Sequence, residues 1–258
     1  MKTTMPRFLL PLCLITLLMV PASVSLAQKD GRIYELRTYH TNPGKLDALL
    51  ARFRDHTVEL FKKHGMTNVA YWTPVENDDQ VLIYLMAYPD RKQRDEMWKA
   101  FFNDPDWKAA YAASIKDGKL VKKVDQVFLE PTEWSPAFTV DQQDPARLFE
   151  LRRYTTNPGK LPNIHARFRD HTIELFEKHG MTNLAYFRLL PDQEGTDNTL
   201  IYFLAHKDAD SRKQSFSTFS KDPAWISVRD ESERDGKILV KDGVKSIEMK
   251  PADFSPTK

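Results

Sequence analysis

Glu35, Arg37 and Tyr39 occupy alternate positions of Tyr34-Glu35-Leu36-Arg37-Thr38-Tyr39, and the same trio returns as Glu150, Arg152 and Tyr154 in Phe149-Glu150-Leu151-Arg152-Arg153-Tyr154. In an extended strand, alternate residues share one face. A carboxylate, a guanidinium and a phenol on one face can orient a polar or anionic ligand, with the arginine supplying a rigid fork of donors. The same groups can instead close on one another as an ion-pair network, because buried charges must be paired. Strand-like Val81–Tyr88 divides into a wholly apolar face (Ile83, Leu85, Ala87) and a face carrying Tyr84; Tyr202 is its counterpart in the second copy. The apolar set is expected under helices and the Glu-Arg-Tyr set in the space between two sheets. Glu35, Arg37, Tyr39, Tyr84, Glu150, Arg152, Tyr154 and Tyr202 are therefore the candidate ligand-binding residues. No residue is assigned a catalytic role.

Histidines offer a second chemistry. His56 and Glu59, repeated as His171 and Glu174, stand three residues apart on a helix, a spacing that metal sites use. These helices should lie outside the sheet, so a surface salt bridge is expected and no metal site is assigned. His64 and His179 precede glycines and are read as helix-end residues that bond terminal carbonyls. Trp107 and Trp225 follow an Asp-Pro helix break and are read as core. The chain shows no phosphate-binding glycine loop, nucleophile elbow or zinc-ligand cluster.

The elements that position these residues follow from pattern. Ile33 to Tyr39 reads as a strand, and Asn42-Pro43-Gly44 opens a helix running to His64 that Gly65 terminates. On a regular helical wheel Leu46, Leu49, Leu50, Phe53, Thr57, Leu60 and His64 share one side, leaving Arg52, Arg54, Asp55 and Lys63 off it. Asn68 to Val75 and Val81 to Tyr88 form a hairpin, Arg91 to Asn103 a helix, Asp104-Pro105 starts a shorter one, and Leu120 to Leu129 is the last strand. The second half repeats this order, with Arg-Phe-Arg-Asp-His-Thr at 52–57 and again at 167–172. Two long copies are tandem domains, since a solenoid would use a shorter and more numerous unit.

Strand-helix-strand-strand-helix-strand is the split pattern of a ferredoxin-like unit. The fold class is accordingly α+β: two tandem ferredoxin-like repeats, at 31–130 and 146–251, joined by a linker at 131–145 and followed by a tail at 252–258. Their antiparallel sheets should pair into an α/β barrel within one chain, a pseudo-dimer whose further oligomerisation the sequence leaves open.

The strand followed by Asn42-Pro43-Gly44-Lys45, the His64-Gly65 helix end, the strand Leu82 to Tyr88 and the downstream Phe101 and Trp107 resemble the NIPSNAP domain. The resemblance returns from Leu148 to about Met249. It implies the dimeric α/β-barrel superfamily, which includes cofactor-free monooxygenases, isomerases and haem-dependent peroxidases. It transfers no catalytic residue.

Residues 1–27 carry Lys2 and Arg7, an apolar run from Phe8 to Val20, and Ser25-Leu26-Ala27. This is the layout of a signal peptide cleaved after Ala27, and it implies a periplasmic or extracellular protein without a membrane anchor after cleavage. Lipid attachment at Cys13 is disfavoured by the bulky Leu12 before it. The remainder has no cysteine and equal numbers of basic and acidic residues, so nucleic acid is not an expected partner. A small polar or aromatic compound held between the sheets is the expected ligand, with no cofactor. The alternative is a non-enzymatic protein-interaction module with a filled barrel and contact loops such as Pro191 to Asn198; haem stands as a third reading.

Overall fold

The computed structural model describes residues 31–258; the leader and Cys13 lie outside the described residues. In the first repeat β1 is Ile33–Thr41, α1 Leu46–Arg52, a π-helical turn Phe53–Thr57, α2 Val58–Lys63, β2 Thr67–Pro74, β3 Val81–Tyr88, α3 Arg91–Asn103, α4 Pro105–Ser114 and β4 Val121–Pro131. The second runs β5 Leu148–Thr156, α5 Leu161–Arg167, a π turn Phe168–Thr172, α6 Ile173–Lys178, β6 Thr182–Leu189, β7 Thr199–His206, α7 Ala209–Phe219, α8 Pro223–Ser232 and β8 Leu239–Pro251. The strands close into one antiparallel barrel in the order β1-β3-β2-β8-β5-β7-β6-β4. The two repeats meet at short seams, β2 on β8 and β4 on β6.

The β4–β6 seam pairs only Leu129 to Pro131 with Phe187 to Leu189. The longer second hairpin extends it. Gln193 Oε1 accepts from Phe128 N at 2.8 Å, its Nε2 donates to Phe128 O at 2.6 Å, and Leu190 N donates to the same carbonyl. The loop Pro191 to Asn198, a contact loop only in the interaction-module alternative, supports the barrel closure through Gln193.

Alternation works as expected, but the faces are exchanged. Tyr34, Leu36, Ile83, Leu85 and Ala87 turn into the barrel and join Phe149, Leu151, Ile201, Phe203 and Ala205 of the second repeat in one apolar cluster. Large and small side chains interlock there: Trp72 stacks on Phe203 at 5.4 Å and meets Phe149 at a tilt at 5.6 Å, beside Ala70, Ala87, Ala185 and Ala205. Glu35, Arg37, Tyr39 and Tyr84, with Glu150, Arg152, Tyr154 and Tyr202, face the helices instead. The reason is the supply of partners: helix α3 adds Arg94 to Glu35 and α7 adds Arg212 to Glu150. The expectation that these eight residues line the space between the sheets is therefore corrected.

The first helix also departs from a regular wheel. Thr57 Oγ1 donates to Arg52 O at 3.1 Å, five residues back, and Thr172 does the same to Arg167 O at 3.0 Å. Each π turn inserts one residue into the helical phase. Arg52, expected off the apolar side, is consequently buried together with Leu49, Phe53, Thr57, Leu60 and Phe61.

The segments after each repeat are exchanged. Phe254 packs on Phe53 and Tyr71 of the first repeat, whereas Trp134 packs on Phe168 and Tyr186 of the second. Ser255 Oγ accepts from Tyr71 N, and Ser135 Oγ accepts from Tyr186 N. Each repeat is capped by a turn belonging to the other.

Candidate functional site between sheet and helices

Glu35 and Glu150 anchor two related networks, each carboxylate fully buried. Arg94 clasps Glu35 with Nε and Nη2 at 2.9 and 2.6 Å, and Arg37 Nη1 joins it from the same strand. Arg37 also donates to Gln126 on β4 at 3.1 Å and lies 4.5 Å over the Trp98 ring. In the second repeat Glu150 accepts from Arg212 at 2.9 and 2.8 Å, from His206 Nε2 at 3.1 Å, and from Arg152 and Ser246. Arg152 reaches Tyr202 at 2.8 Å and Tyr154 at 3.1 Å. Burial pushes the Glu150 carboxyl upward, yet His206, Arg212, Arg152 and Ser246 together hold it far below the ordinary range. Burial works against the charged Arg37 and Arg152; neighbouring tyrosines and their glutamates outweigh it and raise both guanidinium groups. All eight predicted residues are thus brought together in two groups of four, the glutamates and arginines paired; Tyr84 joins its group by ring contact with Tyr39 at 5.2 Å, and its hydroxyl and Arg37 Nε are buried without a hydrogen-bond partner among the described residues.

Next to the first network lies a cleft of about 170 Å³ between sheet and helices. Tyr39 of β1 and Val121 and Val124 of β4 form its floor; Arg52, Phe53, Thr57 and Phe61 of the bulged helix form one wall. Trp98, Phe101 and Phe102 of α3 and Trp107 and Tyr111 of α4 form the other. Trp107, expected as core, packs on Phe101 at 4.4 Å and presents its ring to this space. The Tyr39 hydroxyl accepts from Arg37 Nη2 at 3.4 Å, so the cleft and the Glu35 network share a residue.

Arg52 was missed from the wheel. Its guanidinium lies 5.3 Å from the Trp107 ring centre and 5.4 Å from that of Tyr111. Nη1 donates to Ser114 at 3.1 Å, while Nε is buried without a partner. Burial lowers its pKa, with Tyr39, Tyr111 and Tyr84 opposing. The repeated Arg-Phe-Arg-Asp-His-Thr with threonine five residues after the first arginine was the available signal, once Thr57 is read as a π-turn cap.

The histidines resolve differently from expectation. His64 and His179 bond the N-cap carboxylates Asp104 and Asp222 at 2.7 and 2.8 Å, not terminal carbonyls. Together with Lys63 and Lys178 they hold those carboxyls far below their ordinary value. His56 is exposed, and Glu59 pairs with Lys62.

A closed eight-stranded barrel of two ferredoxin-like halves, each with a buried Glu-Arg network under its helices, defines a single-chain α/β-barrel protein. Its fold is shared with a putative monooxygenase from Fusobacterium nucleatum (TM-score 0.57, 13% identity, 86% of this chain and 93% of that one). An anthrone oxidase-like protein is similar to the same degree (TM-score 0.58, 8% identity, 86% and 92%). The NIPSNAP family model matches residues 34–136 and 149–256, and the chain belongs to the NIPSNAP family. The human Protein NipSnap homolog 3A is 25% identical over 236 residues, 90% of this chain and 88% of that protein.

Proposed function

We propose that this NIPSNAP protein binds a compound carrying a single aromatic ring in the sheet–helix cleft of its first repeat. The observation that carries the reading is the cleft itself, walled by Tyr39, Phe53, Phe61, Trp98, Phe101, Trp107 and Tyr111. A cavity of roughly 150 Å³ lined by apolar side chains holds one benzene ring, so about 170 Å³ suits a ligand of that size. Aromatic walls favour a planar partner by edge and face contacts. The space between the sheets, the site expected from sequence, is occupied by the apolar cluster around Trp72, Phe149, Phe187 and Phe203. Putative monooxygenase and anthrone oxidase-like proteins with this fold are compatible with ligand binding, but their low identity carries no reaction over to this chain.

Site-resolved titration tests the reading. On addition of benzamide the indole N–H resonances of Trp98 and Trp107 should shift while those of Trp72, Trp134 and Trp225 stay in place. Unmoved signals throughout, or movement of Trp72 alone, would overturn it. Export is part of the same proposal: the mature protein should begin at Gln28, as the basic-apolar-small order of residues 1–27 requires. Mass spectrometry of the exported form decides that point, with an intact Met1 as the contrary result.

A further inference from the structure

The two repeats differ at the buried arginine of the bulged helix. Arg52 and Arg167 hold equivalent places, each preceding a π turn, each donating Nη1 to a serine at the end of the fourth helix of its repeat: Ser114 at 3.1 Å and Ser232 at 3.3 Å. Each also lies 5.3 Å from a tryptophan ring, Trp107 or Trp225. The next residue separates them. Glu233, the C-cap of α8, approaches Arg167 Nη1 at 3.4 Å; its counterpart in the first repeat, the C-cap of α4 that follows Ser114, is Ile115.

Arg52 is only 6% exposed and has no carboxylate within ion-pair distance among the described residues. Ser114 is the one hydrogen-bonding partner of its guanidinium among the described residues. A guanidinium keeps its charge at any working pH and has five donors to satisfy, so leaving it buried without a counter-ion is costly. Contact with Trp107 and Tyr111 offsets part of that cost and no more. The second repeat meets the same need with its own glutamate. The first repeat has instead a cleft, and Arg52 forms part of its wall.

We propose that the counter-ion of Arg52 is the ligand's own: the first-repeat cleft takes a single-ring aromatic carboxylate, whose anionic group the Arg52 guanidinium receives. The proposal rests on the aromatic-cleft reading above and adds the charge and the choice of repeat. The ring lies among Phe53, Phe61, Trp98 and Trp107, and the carboxylate meets the Arg52 guanidinium from the cleft side, supplying the charge that Glu233 supplies in the second repeat. The second repeat, with Glu233 in place, does not take such an anion.

Titration calorimetry of the full chain with benzoate, and with benzamide as the uncharged counterpart of equal size, tests this. Benzoate should bind at one site per chain and at least about tenfold more tightly than benzamide, the scale of one charge-assisted pair in a desolvated setting. Ile115→Glu gives Arg52 an internal counter-ion, and should abolish benzoate binding while leaving benzamide within a few-fold. Arg52→Met provides the same comparison should Ile115→Glu fail to fold, since it too must lose benzoate and keep benzamide. Equal affinity for both compounds, or benzoate binding undiminished in both Ile115→Glu and Arg52→Met, overturns the anion assignment and leaves the aromatic cleft standing. Failure of both compounds to bind overturns the cleft reading and this proposal with it.

Discussion

The ring of Phe254 stacks on that of Phe53 with centroids 6.4 Å apart, although 200 residues of chain separate them. The last turn of the protein therefore belongs to the core of the first repeat, and Ser255 completes it by accepting from Tyr71 N at 3.0 Å. Ser255→Ala leaves that buried N–H unmet and should lower stability by about 1–3 kcal/mol. A chain ending at Pro251 loses the stack as well and should fall further. Urea denaturation of the three proteins gives the ranking, and an unchanged midpoint in the truncated chain would contradict it.

Glu150 supplies a buried acid-sensitive contribution. Its folded pKa lies below the ordinary 4.5, so its stabilisation is complete above that pH and is lost as the pH falls from there. Glu150→Gln leaves Arg152 without its carboxylate and Arg212 with Glu248 alone, and should cost about 3–5 kcal/mol at neutral pH. The gap between variant and parent should narrow steadily below pH 4.5. Denaturation at a series of pH values checks this; a gap that widened in acid would be the opposite sign.

In the first network the order of damage follows from the number of partners. Glu35 serves Arg37 and Arg94 at once, whereas Arg37 removed still leaves Glu35 clasped by Arg94. Glu35→Gln should therefore destabilise more than Arg37→Met. The double variant should cost less than the two single changes added, by roughly 0.5–3 kcal/mol, because the groups share partners. Additive losses would mean that the two side chains act independently.

Trp72 tests what fills the barrel. It is fully buried against Phe149 and Phe203, and its Nε1 has no partner. Trp72→Ala should cost about 3–5 kcal/mol through the cavity it leaves. Trp72→Phe keeps most of the volume and removes an unmet donor, so its cost should be far smaller. Thermal and chemical unfolding of both proteins would show the difference.

Thr57 tests the bulge that buries Arg52. Thr57→Val keeps the shape but removes the bond to Arg52 O, at a cost of about 0.5–1.5 kcal/mol. Benzoate affinity should fall along with stability, since the arginine rides on that turn. Unaltered benzoate affinity in a destabilised Thr57→Val protein would separate the two effects.

The duplicated strand order and the helix boundaries at Arg91 and Asn103 were legible in the residues themselves. Periodicity, caps and breaks are local properties, and Asp90, Asp104 and Gly65 act where they stand. Alternation also assigned Glu35, Arg37 and Tyr39 to one face without error. Which way that face turns was decided elsewhere. On the central strands β1, β3, β5 and β7 both faces are largely buried, so polarity alone cannot tell inside from outside. The choice depends on Arg94 and Arg212, which tertiary packing brings to Glu35 and Glu150 from 59 and 62 residues away. Arg52 was hidden for a related reason: a wheel of fixed pitch sends it to solvent, and only the added residue of the π turn rotates it inward. The difference between Ile115 and Glu233 was visible as two letters. It acquires meaning only because folding sets both residues beside buried arginines, where a missing carboxylate has an energetic consequence that no exposed position would have.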